Sequence, residues 1–128
     1  MRYCYQISAA PGTTAEEPST WEITLTPGTI TQAALYFPPG SGGYLHVQIW
    51  LNASQMIPWE RGEWLRGDDI LIPDDGSYPV DEAPYLLTIK AYNDGTLYTH
   101  RAQISVELTA YPSQPSGGGE ISFVGMVG

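Results

Sequence analysis

The chain has 128 residues, fourteen acidic side chains against five basic ones and a net charge of −9, which suits one domain with a core of its own and not two. The basic residues Arg2, Arg61, Arg66, Lys90 and Arg101 are scattered singly, so no patch gathers to neutralise phosphates, and nucleic acid and anionic membranes are excluded as partners. Apolar runs of only a few residues cannot span a bilayer. MRYCYQISAAPG also lacks the apolar core of a secretory signal, so the chain is expected to stay in the cell that makes it or to leave in an assembly or by lysis.

Eleven prolines and fourteen glycines interrupt the sequence too often for helical periodicity, and alternation of period two replaces it. RYCYQIS, residues 2 to 8, reads as a first short strand. Cys4, the only cysteine, rules out an intramolecular disulfide and is expected to pack as a small buried hydrophobe. A polar, turn-rich segment, AAPGTTAEEPST, follows. WEITLTPG then sets Trp21, Ile23 and Leu25 against Glu22, Thr24 and Thr26, a half-buried strand closed by Pro-Gly.

TITQAALYFPPG aligns Ala33, Leu35 and Phe37. Past PPGSGG, YLHVQIWL aligns Leu45, Val47, Ile49 and Leu51 opposite Tyr44, His46, Gln48 and Trp50. Shorter strands are predicted at SQMIPW (54 to 59) and DILIP (69 to 73). Tyr85, Leu87, Ile89 and Ala91 alternate in APYLLTIKAY, as do Ala102, Ile104, Val106 and Leu108 in HRAQISVELT. Between these last two, NDGT has the composition of a tight hairpin turn, because Asn93, Asp94 and Gly95 tolerate positive φ. About eight short strands joined by Gly, Pro and Asp turns predict an antiparallel β-sandwich, jelly-roll or immunoglobulin-like in connection order.

Composition changes after Pro112. The domain is expected to cover residues 1–112, SQPSGGG (113–119) reads as a linker, and residues 120–128 form a C-terminal arm. That arm places Ile121, Phe123, Val124, Met126 and Val127 in a stretch that is costly to leave in water, so it is expected to pack on its own domain or on a neighbour.

No catalytic constellation is visible: no serine beside a histidine base, no phosphate-binding glycine loop and no carboxylate pair on recognisable elements. No cofactor is expected. His46 and His100 lack acids at metal-ligand spacing and read as surface or turn histidines. Asp68, Asp69, Asp74 and Asp75 read as a solvated acidic loop, with Ca²⁺ as the alternative; no metal site is assigned. Arg66-Gly67-Asp68 reads as a turn, and the sequon at Asn52, Ala53 and Ser54 is uninformative without export. Trp50 faces outward on its strand, and Trp59 and Trp64 flank PWERGEW. These three form a candidate aromatic site for sugar stacking or a protein interface, unless the loop folds back over them.

The order PPG, L.HV.I, I.PW..GEWLRGD, APY.L.I.AYN and a last strand ending in YP resembles small β-sandwich accessory proteins encoded among the structural genes of tailed bacteriophages, over residues 21 to 112. The resemblance implies a virion component of the capsid-decoration type, assembled in the host cytoplasm and displayed in several copies, with protein partners: a homo-oligomer, a capsid protein or both. It carries over no functional residue. The arm then has a role as a strand added to a neighbouring subunit, with backbone hydrogen bonds supplying affinity and alternate side chains filling pockets. The alternative reading is a carbohydrate-binding module using Trp50, Trp59 and Trp64.

Overall fold

The computed structural model describes residues 1–40, 42–58 and 60–112. Trp59, the 113–119 linker and the arm residues Ile121, Phe123, Val124, Met126 and Val127 lie outside the described residues. Ten strands follow in order: β1 (Arg2–Ala9), β2 (Ser19–Thr24), β3 (Gly28–Phe37), β4 (Leu45–Leu51), β5 (Ser54–Ile57), β6 (Leu65–Arg66), β7 (Ile70–Asp74), β8 (Tyr78–Val80), β9 (Leu86–Asn93) and β10 (His100–Ala110). No helix occurs among the described residues.

The strands form two sheets of five, all pairs antiparallel. The first runs β1-β10-β3-β7, with β8 also on β3; the second runs β2-β9-β4-β5, with β6 also on β4. Two edges are split. β7 lies along Ala33 to Phe37 while β8 takes Gly28 to Ile30; likewise β5 takes Ile49 to Leu51 and β6 takes His46 and Val47. The short strands β6 and β8 are too brief for alternation to reveal them.

The inward positions of the two sheets share one core. Leu35 and Phe37 on β3, Val47 and Ile49 on β4, Leu87 and Ile89 on β9, and Ile104, Val106 and Leu108 on β10 are all buried in it, as their alternation requires. Trp21 and Ile23 on β2 pack against this core but stay half-buried, because β2 is an edge strand. At Gly28 the backbones of β3 and β10 come so close that a Cβ would collide with the carbonyl oxygen of Thr109 and the Cα of Ala110.

Two local expectations are corrected. NDGT is not a hairpin turn: β9 and β10 belong to different sheets, the segment crosses between them, and none of Asn93, Asp94 and Gly95 has positive φ. Asn93 is instead a buried tie, 0 % exposed. Its Nδ2 donates to the carbonyls of Ala9 (3.0 Å) and Tyr98 (2.8 Å), and its Oδ1 accepts from Gly95 N–H (2.9 Å). The tight hairpin is at Asn52–Ala53 between β4 and β5, where Asn52 has φ 53°. Cys4 is exposed, not buried. It falls on the outer parity of β1 with Arg2 and Gln6, opposite Tyr3 and Ile7, and is paired with Ser105.

Candidate functional site

The predicted aromatic site lies on the outer face of the second sheet. His46, Gln48 and Trp50 project outward from β4 and register with Tyr92, Lys90 and Thr88 on β9. An outward strand face is normally wet, yet Gln48, Thr88 and His46 (8 % exposed) are buried here. Residues 60–65 fold back toward Gln48 and the Tyr92–His46 pair. Gln48 Nε2 donates to the carbonyl of Glu63 at 2.9 Å. The Gln55 amide holds the loop from inside, donating to the carbonyls of Pro58, Glu60 (3.0 Å) and Glu63 (3.1 Å) while its Oε1 accepts from Gly62 N–H (2.9 Å).

Under that loop the rings engage one another. Trp64 stands edge-on to Tyr92 at 4.7 Å, and Tyr92 lies parallel to His46 at 4.3 Å. His46 Nε2 is 3.2 Å from Asp94 Oδ2. Burial, with the nearby Asp94 carboxylate second, raises the Tyr92 hydroxyl above its ordinary pKa. Lys90 Nζ sits 4.7 Å from the centre of the Trp50 ring, and the indole N–H of Trp50 donates to Gln48 Oε1 at 3.0 Å. Trp50 and Trp64 are thus both half-buried and occupied by protein neighbours. His46 is correspondingly a buried histidine and not a surface one.

The exposed aromatic surface is elsewhere, at the end of the sheets where the β3–β4 and β9–β10 connections meet. Leu97 is 76 % exposed, Tyr98 69 % and Tyr44 51 %. The Tyr44 ring stacks on His100 at 6.0 Å with 12° between planes. Two open concavities flank these residues. One, of about 430 Å³, lies between Tyr44, Asp94 and Leu97; the other, of about 690 Å³, lies between Tyr98, Pro39, Arg101 and Gln6. The sequence did carry a signal for this surface: Leu97 and Tyr98 sit in a polar connection with no alternating partner.

Two acids of the 68–75 region, Asp68 and Asp74, accept hydrogen bonds from nearby backbone, and Asp74 from a hydroxyl as well. Asp68 Oδ1 takes the N–H groups of Gly40 (2.8 Å) and Gly42 (3.1 Å); Asp74 takes Gly76 N–H (2.8 Å) and the Tyr78 hydroxyl (2.7 Å). Among the described residues no three His, Cys, Asp or Glu side chains gather so as to hold a metal ion. Cys4 and His46 are on different sheets. On the outer face of the first sheet a shallow trough of about 320 Å³ runs past Cys4, Ser105, Ala34, Tyr36 and Leu71.

At the opposite edge from the split strands, β1 pairs with β10 alone and β2 with β9 alone among the described residues. The two free edges lie side by side, with a gap of about 160 Å³ between Tyr5, Ile7, Trp21, Ile23 and Ile89. The chain matches no protein-family model and no curated protein.

Proposed function

We propose that the protein is a non-enzymatic structural module: an accessory protein of the capsid-decoration type on a phage or phage-like particle, with residues 120–128 packing on a neighbouring subunit. The observation that supports this reading is that, among the described residues, Ile7 to Leu108 already supply one buried apolar core shared by both sheets. On this reading the five large apolar side chains beyond Pro112 are available to a partner surface, which suits apolar groups of this kind. The motif order resembling tailed-phage accessory proteins supports the virion setting.

The strand order also supports jelly-roll over immunoglobulin-like connectivity. With the split edges counted once, each sheet is four strands wide, and β1, β2, β3 and β4 alternate between sheets, as do β8, β9 and β10. Double-sheet jelly rolls of this width are a common architecture of viral capsid proteins.

Truncation after Pro112 tests the function. The shortened protein is expected to unfold at nearly the full-length temperature and to lose self-association or particle occupancy, read by mass and by particle binding. A large loss of stability with association intact would mean that the segment belongs to its own domain.

A second reading, carbohydrate binding, is favoured by the exposed rings of Tyr44 and Tyr98 beside Asp94, Arg101 and Gln103. Sugar rings stack on such faces while polar neighbours take their hydroxyls. Glycan-array binding abolished by Tyr44→Ala with Tyr98→Ala would support it; an array without binding would remove it.

A further inference from the structure

The sheet edges are not treated alike. β7 carries Pro73 and Asp74, and β8 carries Pro79; proline removes the N–H that an incoming strand would need. β5 and β6 are only four and two residues long, and the β4–β5 register shifts between Ile49 and Trp50. The six-residue β2 places Glu22 midway along its edge. β1 has none of these guards. It runs eight residues, Arg2 to Ala9, in unbroken register with β10, contains no proline, and its one charged residue, Arg2, is held by Glu107 at 3.0 Å. A long, regular, nearly uncharged edge is a template for another strand.

The neighbouring surface is suited to an apolar strand. Tyr5 and Ile7 on β1 face Trp21 and Ile23 on β2 across the open gap, and Trp21 and Ile23 are only half-buried. In ISFVGMV the odd positions Ile121, Phe123 and Val127 share one parity, and Ser122, Val124 and Met126 share the other. A strand beside β1 would turn the first set into the gap and the second onto the outer face with Cys4.

The exit of the described chain decides which copy supplies it. Glu107 pairs with Arg2, Leu108 N–H donates to the carbonyl of Met1 at 2.7 Å, and Tyr111 N–H donates to that of Pro27 at 3.1 Å. The chain therefore leaves beside the N-terminal end of β1. From there its own continuation meets β1 directly only in parallel, since an antiparallel course would first need residues 113–120 drawn out along almost the whole length of β1, whereas every described pair is antiparallel, and parallel pairing is slightly weaker per residue. A second copy can enter from the Ala9 end and run antiparallel, and the eight residues 113–120 reach at most roughly 29 Å to allow it. Resting on the structural reading above, we propose that the free edge of β1 receives residues 121–127 of a second copy as an added antiparallel strand, with Ile121, Phe123 and Val127 in the gap beside Trp21.

Cys4, exposed and the sole cysteine, is a native probe for this contact. Strands lie about 4.8 Å apart, within the Cα separation a disulfide spans, roughly 4.4–6.8 Å, provided the side chains share a face. In the full-length chain, Ser122→Cys, Val124→Cys and Met126→Cys are oxidised one at a time and compared with Ile121→Cys and Phe123→Cys. The expected result is a covalent dimer joining Cys4 to the new cysteine for at least one of the first three, none for the last two, and none in a Cys4→Ser background. A monomer with an internal disulfide overturns the proposal by showing the edge closed by its own chain. Absence of any link to Cys4, while truncation after Pro112 abolishes association, places the arm on another surface and overturns this edge alone. Association that survives truncation overturns both this proposal and the reading on which it rests.

Discussion

Asn93→Leu removes the side chain that joins three pieces of backbone across the two sheets. Ala9 and Tyr98 lose the donor to their carbonyls, and Gly95 N–H loses its acceptor. A buried backbone group left without a partner costs about 1–3 kcal/mol. The bonds to Ala9 and Gly95 are buried, whereas that to Tyr98 is partly open and can be replaced by water. Two dry orphans, partly relieved by movement of the connection, give an expected loss of about 3 kcal/mol. For a domain of this size that is a fall in Tm of roughly 10–15 °C. Asn93→Asp keeps an acceptor for Gly95 but sets a carboxylate against two carbonyls, so it should be destabilised too. Thr13→Val removes the 2.7 Å acceptor of the Asn93 N–H and an exposed 2.9 Å bond to the Ala10 carbonyl that water can replace, and should cost less. Urea and thermal unfolding read all three. A loss below about 1 kcal/mol for Asn93→Leu would refute the view that this residue ties the connection.

Gly28→Ala should be destabilised by about 2 kcal/mol or more, because the new Cβ meets rigid backbone at Thr109 and overpacking of this kind costs about 1–3 kcal/mol; an unchanged denaturation midpoint would contradict the close approach. Burial first, then the hydrogen bond and charge of Asp74, push the Tyr78 hydroxyl from 10.0 up to about 12. The folded state thus favours the neutral phenol: this contribution is fully present below the ordinary value and is lost as pH rises through about 12. Alkaline unfolding should therefore be less steep in Tyr78→Phe, and identical curves would count against it. Gln55→Ala should release the loop it holds through Glu60, Gly62 and Glu63, making Arg61 a faster trypsin site with the core intact; equal cleavage rates would show that Gln48 suffices.

The sequence by itself determined which residues face inward. Alternation is a local property of an extended backbone, so Ala33 to Phe37, Leu45 to Ile49, Leu87 to Ala91 and Ala102 to Leu108 could be sorted by parity alone, and all of these apolar positions are buried. The same parity sets Cys4 beside Arg2 and Gln6, so its exposure was legible had alternation outweighed the general tendency of cysteine to be buried. Which strand lies beside which was decided only by the tertiary structure, because pairing joins residues far apart in the chain. Tyr5 meets Ile104, and Leu45 meets Asn93. The composition of NDGT describes a turn but cannot say whether the strands it joins share a sheet, so Asn93 becomes a buried tie only once Ala9 and Tyr98 are brought to it. Trp64 and His46 follow the same logic. Their positions in the chain look exposed, and they are covered because Gln48 and Gln55, set by the pairing of β4 with β5 and β9, draw residues 60–65 back across the sheet.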